Sequence, residues 1–188
     1  RTETWFWTFT YYHVELVKNR AYEGDEACAE SARHGLRLAL STLLRLFAPF
    51  LPFVTEEVWS WTHEGSVHVT DWPSAQGLPA GGDPGMVAAV GAALATIRKA
   101  KSDAKVGMRA EVPSMTLLGP GSALERVRLA EGDLRAAGKL TGTLAYSEAE
   151  EIAARGFTVE GTFDQVDDPI LLGPDGLPVN TWQESYPY

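Results

Sequence analysis

The stretch Leu36 to Trp61, LRLALSTLLRLFAPFLPFVTEEVWSW, constrains the fold more than any other part of the chain. Leu36, Leu38, Leu40, Leu43, Leu44, Leu46 and Phe47 leave little of a helical circumference polar, so the helix carrying them is expected at the centre of a bundle. Pro49 and Pro52 cannot continue it, because proline lacks a donor N–H and its ring clashes with the preceding turn. A short helix from Thr55 to Trp61 is predicted next, with Thr55 as its cap and Glu56 and Glu57 near its positive end. It should return Trp59 and Trp61 to the bundle. The most apolar segment, 39–54, is interrupted by Arg45 and both prolines and falls short of the roughly 20 apolar residues a membrane span needs, so no membrane partner is expected.

The flanking sequence supplies the rest of a helical unit. Trp5, Phe9, Tyr12 and Leu16 recur at three- and four-residue spacing and predict an amphipathic helix over 2–20, with these four facing the core. Gly24 is placed to stop that helix and Asp25 to cap the central one, which should run to Ala48. Residues 73–85 hold three Pro and four Gly and have the composition of a linker. The predicted organisation is therefore a bundle over 1–73, a linker over 74–85, a helix plus small α/β subdomain over 86–163, and an extended tail over 164–188. In the second unit, Asp83-Pro84 should open a helix reaching about Lys105. Strands are expected at Val112–Leu118 and Thr143–Tyr146, a helix at Pro120–Ala137 stopped by Gly138, and a last strand where Phe157, Val159, Gly161 and Phe163 alternate with polar residues. The fold class is mainly α.

Charge is distributed unevenly along the chain. Residues 1–73 carry six Lys/Arg against ten Asp/Glu, residues 83–140 nine against six, and residues 141–188 one against nine, giving −4, +3 and −8 and summing to the net −9. Such a chain does not bind nucleic acid indiscriminately; phosphate contact must be local, and only the middle segment favours it. A single cysteine, Cys28, makes no intramolecular disulfide and fits a reducing cytoplasm. It has no basic neighbour that would make it a nucleophile. The N-terminal residues show no signal peptide and no initiator Met, so the chain is expected to begin mid-protein.

Motifs for small-molecule chemistry are missing from the sequence. The histidines His13, His34, His63 and His68 form no zinc-type pair, and neither a phosphate-cradling GxxxxGK[ST] loop nor a GxSxG elbow occurs. What stands out is basic: Arg98, Lys99, Lys101, Lys105 and Arg109, opposed only by Asp103, with Arg98, Lys101 and Lys105 on one helical face. These are candidate phosphate contacts, or cations drawn to a helix C-terminus by its dipole. Arg33 and Arg37, one turn apart, form a second pair open to the same two readings. The aromatic group Trp5, Phe6, Trp7, Phe9, Tyr11 and Tyr12 offers about two rings for stacking on bases once the core has taken its share.

Three stretches together resemble the anticodon-binding region of valyl-tRNA synthetases, with isoleucyl relatives more distant. They are Phe6-Trp7-Thr8-Phe9 with Val14 to Arg20, the run Leu36 to Trp61 continuing through Gly65-Ser66-Val67-His68 to Trp72-Pro73, and Ile97 to Ser102 with Asp133-Leu134. The resemblance covers about residues 2–147. It implies a bundle that holds the anticodon stem-loop of valine tRNA for a catalytic domain of the parent synthetase. Residues Arg33, Arg37, Arg98, Lys99, Lys101, Lys105 and Arg109 would then face RNA. The His-x-Gly-His and Lys-Met-Ser-Lys-Ser signatures of that catalytic domain are not in this sequence, so this chain is expected to use no cofactor and ATP would serve the catalytic domain. Tyr11-Tyr12-His13 departs from the family pattern, and the first helix of the usual bundle is missing. The other reading is a non-catalytic interaction protein derived from such a bundle.

Overall fold

The computed structural model describes residues 2–76, 78, 81–149 and 157–163. The N-terminal rod consists of α1 (Thr2–Thr8), a π-helical segment (Phe9–His13) and α2 (Val14–Glu23). The π segment lies against the next unit, where Gly91 leaves room for Tyr12: a Cβ at that position would sit 3.1 Å from the Tyr12 ring. Gly24 ends α2 as expected, its amide donating to the Arg20 carbonyl at 3.1 Å. Asp25 caps α3 (Glu26–Phe47) by accepting from the Cys28 amide at 2.9 Å.

Helix α3 is not enclosed as its leucines suggest. Leu43, Leu44 and Ala32 are buried, but Leu38 and Leu40 are 39% and 43% exposed: α2 and α4 make the main contacts with α3, and α1 reaches it through the edge-to-face pair Phe6–Phe47 at 5.7 Å, leaving these two leucines partly uncovered. Helix α4 spans Pro52–Ser60, so the predicted start at Thr55 is corrected. Proline fits the first helical turn, where its missing N–H has no partner to lose. Thr55 is instead buried inside the helix and donates to the Leu51 carbonyl at 2.8 Å. Trp59 does return to the bundle, buried and stacked 3.7 Å from His63, while Trp61 stays 68% exposed. Glu56 accepts from Ser66 Oγ and the Val67 amide, both at 2.9 Å, and so holds the 3-10 turn Val67–Val69; this is a structural role for that carboxylate.

The second unit begins with α5 (Met86–Asp103). Asp83 does not cap α5 directly. It accepts from the Gly85 amide at 2.8 Å and pairs with Arg126 at 2.6 Å, and both contacts hold its carboxyl below the usual range, the Arg126 bond most of all. The sheet has order β2-β1-β3, with β1 (Val112–Gly119) parallel to β2 (Leu140–Glu148) and antiparallel to β3 (Thr158–Thr162). The crossover from β1 to β2 carries α6 (Gly121–Leu129) and α7 (Glu131–Gly138), where a single helix was expected; Ala130, at φ −113°, breaks it. Val90, Leu94 and Ile97 of α5 share one core with Met115, Leu117, Leu124, Val127 and Leu134. Leu16 of α2 belongs to that core too, and Arg20 pairs with Asp133 of α7 at 2.9 Å. The N-terminal helices and the α/β elements thus meet through α2. The predicted tail at 164–188 lies outside the described residues.

Candidate nucleic-acid interface

The basic segment is built around the end of α5. The Lys105 amide donates to Ser102 O at 3.0 Å and the Val106 amide to Lys101 O at 3.1 Å, the paired bonds of a Schellman stop. The motif requires a left-handed residue, usually glycine; here it is Lys105, at φ 57°. Lys105 and Arg109 are exposed, and among the described residues neither is paired with a carboxylate.

Lys101 does not join them, which corrects the reading of one basic face. It is 1% exposed, and its ammonium donates to Met108 O at 3.2 Å, Ala110 O at 2.7 Å and Gly138 O at 2.8 Å. Burial lowers its pKa, with smaller contributions from the positive charges of Lys139 and Arg98. A buried cation satisfied by three carbonyls is a structural clamp with no donor left for a phosphate.

The other predicted cations are divided by their surroundings. Lys99 is exposed and pairs with Asp103 at 2.7 Å one turn on, an interaction that solvent leaves weak. Arg98 is half-buried, with long contacts of 3.4 Å to Tyr11 O and to Glu15. Arg33 donates to Ala21 O at 2.9 Å and so ties α3 to the end of α2, whereas Arg37 is exposed with a 3.3 Å contact to Glu30. Solvent-facing cations therefore lie at the α5 end, at Lys99, Lys105 and Arg109, and on α3, where Arg33 and Arg37 are both exposed. Lys139, not anticipated from sequence, occupies a matching position after α7: exposed, and left-handed at φ 57°. The signal available for it was a basic residue directly after the helix-stopping Gly138.

Three of the six N-terminal aromatics are exposed: Trp5, Trp7 and Tyr11. Trp7 and Tyr11 stack with centroids 5.6 Å apart, and Trp5, Phe9 and His13 form a second ladder at 5.0 and 5.2 Å. Trp5 and Phe9 do not reach the core; with Leu38, Leu46, Leu78 and Val87 they line an open groove of about 900 Å³. Cys28 is exposed, and its hydrogen bond to the Asp25 carboxylate pushes its thiol pKa up, away from the reactive thiolate.

The family model described as "Anticodon-binding domain of tRNA ligase" matches residues 1–116, which takes in α1 to α5, the Lys105–Arg109 turn and the start of β1. The chain belongs to this anticodon-binding family. Valine–tRNA ligase of Thermobifida fusca is 50% identical over 158 residues, covering 82% of this chain and 18% of the relative. The Cutibacterium acnes enzyme is 50% identical over 135 residues, 70% of this chain and 16% of the relative, and that of Salinispora tropica 47% over 155 residues, 73% and 18%. The chain thus spans less than a fifth of the length of these curated relatives. The isoleucyl alternative is not favoured. Within the anticodon-binding family match lie all seven predicted cations, of which Lys101 is the one removed from solvent.

Proposed function

We propose that the chain is the anticodon-binding region of a valine–tRNA ligase, holding the anticodon stem-loop of valine tRNA while a catalytic domain elsewhere in the parent protein carries out ATP-dependent aminoacylation in the cytoplasm. The observation that carries this reading is the half-identity to valine–tRNA ligases over 158 residues of the chain. The geometry fits the task. Recognition of an RNA loop needs ring faces for unstacked bases and cations for the flanking phosphates. Trp5, Trp7 and Tyr11 offer the first, and Lys99, Lys105, Arg109 and Arg37 the second. A carboxylate-rich remainder keeps the background repulsive to RNA, so that binding depends on these groups in place.

The test is fluorescence anisotropy of labelled valine tRNA against the full chain over a range of salt. Affinity should fall steeply as salt rises, since each phosphate contact adds about 0.7–0.9 to the slope of log K against log salt, and an anticodon-substituted tRNA should bind more weakly. Equal binding of the substituted tRNA would overturn the reading.

A further inference from the structure

Three backbone carbonyls converge on the buried Lys101 ammonium, and each adjoins an exposed cation. Met108 O and Ala110 O, at 3.2 and 2.7 Å, lie on either side of Arg109. Gly138 O, at 2.8 Å, belongs to the peptide that leads into Lys139. A carbonyl oxygen stands about 2.8 Å from the next Cα, so these contacts put the Cα atoms of Arg109 and Lys139 no more than about 12 Å apart. Both long side chains can reach one stretch of phosphate backbone across that gap. Lys105 closes the same turn, four residues beyond Lys101.

The backbone gives a second indication. Lys105 and Lys139, both at φ 57°, are the only non-glycine residues with positive φ among the described residues. A helix dipole accounts for a cation near a C-terminus. It does not account for placing one at the position where the chain must turn left-handed and glycine costs least. Strain of this kind persists where surrounding contacts over-determine it, and it gathers at functional positions.

We propose that Lys101 is the positioning residue of a phosphate-binding cluster formed by Lys105, Arg109 and Lys139, with Lys139 itself a contact to the RNA backbone. The ammonium draws the ends of α5 and α7 together and fixes the peptides on which Arg109 and Lys139 are mounted, while Lys105 is held at the start of the same turn by the backbone bonds of the α5 stop. The proposal rests on the RNA-binding reading above and adds to it a specific anchoring point and a residue that acts through others.

The test is a cycle on the full chain with valine tRNA as the probe. Lys101→Met keeps the length of the side chain and removes its donors; Lys101→Arg keeps donors. A triple variant, Lys105→Ala with Arg109→Ala and Lys139→Ala, removes the cations from the surface only. Lys101→Met should weaken binding at least threefold in the wild-type background and have no measurable effect in the triple background, while Lys101→Arg recovers part of the loss. Amide exchange should speed up in residues 105–110 of Lys101→Met and stay slow in α6. Equal weakening in both backgrounds would mean general structural damage and overturn the proposal, as would Lys139→Ala binding with unchanged affinity and salt slope. If Lys101→Met does not fold, Lys101→Arg carries the cycle: a loss confined to the wild-type background supports the proposal, and an equal loss in both overturns it. A wild-type chain that binds no RNA sinks the functional reading and the ligand with it. The clamp is then judged by exchange alone, and unchanged protection of 105–110 in Lys101→Met would sink that as well.

Discussion

Replacing Lys105 by glycine should stabilise the protein and weaken its hold on RNA at the same time. Lys105 is exposed and left-handed at φ 57°, and the Schellman bonds around it, from its own amide to Ser102 O at 3.0 Å and from the Val106 amide to Lys101 O at 3.1 Å, are made by backbone and survive substitution by glycine or alanine. An L-residue there carries a Cβ penalty of roughly 1–2 kcal/mol, set against about 0.5–1 kcal/mol for the greater freedom of glycine in the unfolded chain. Lys105→Ala retains the penalty and loses the charge, so it is the proper reference. Glycine should exceed alanine by about 0.5–1 kcal/mol, which in a chain of this size is roughly 1–4 °C in Tm. Thermal unfolding followed by circular dichroism reads that difference. Titration with valine tRNA should show both variants weakened alike, each with a salt slope smaller by about 0.7–0.9. A glycine variant less stable than the alanine one would refute the argument from backbone conformation. Unchanged affinity and slope in both would refute the assignment of Lys105 to the RNA surface.

Other perturbations separate the remaining parts of the account. Trp7→Ala with Tyr11→Ala removes an exposed stacked pair, so Tm should move little; if bases stack there, valine tRNA affinity should drop by about 1–3 kcal/mol per base lost, and unchanged binding would take α1 out of the interface. Leu16→Ala should cost about 3 kcal/mol, because this bundle residue is buried in the core of the α/β unit; its denaturant midpoint should fall in a single transition, and a separate early transition of the bundle would show the two units to be uncoupled. His13 has its pKa lowered first by burial and then by Arg20, against an opposing contribution from Asp133. Its contribution is present above pH 6.5 and lost as pH falls through the depressed folded value, so the urea midpoint should decline between pH 7 and 5, and His13→Gln should flatten that decline.

How far the sequence predicts this molecule depends on how local each interaction is. Gly24, Asp25 and the strand expected at Val112–Leu118, which β1 extends by one residue, could be read directly, because caps, stops and alternation act over a few residues. Thr55 and Pro52 both suit a helix beginning, and α4 starts at the proline. Leu38 and Leu40 look like core in a list of leucines, yet they lie about 200° apart around α3, Leu38 on the wall of the open groove and Leu40 toward solvent. Lys101 is the sharpest case. Its spacing matches that of an exposed cation, and what buries it are carbonyls seven, nine and 37 residues away, a non-local arrangement that no periodicity contains. The same holds for Lys139, whose neighbourhood with Arg109 exists only once α5 and α7 meet.

The central claim is that this bundle reads the anticodon of valine tRNA, and moving the anticodon tests it most directly. A valine anticodon loop grafted into an unrelated tRNA should compete with labelled valine tRNA for the chain almost as well as valine tRNA itself, while valine tRNA carrying the foreign loop should compete poorly. Competition that follows the tRNA body instead of the loop would contradict the account.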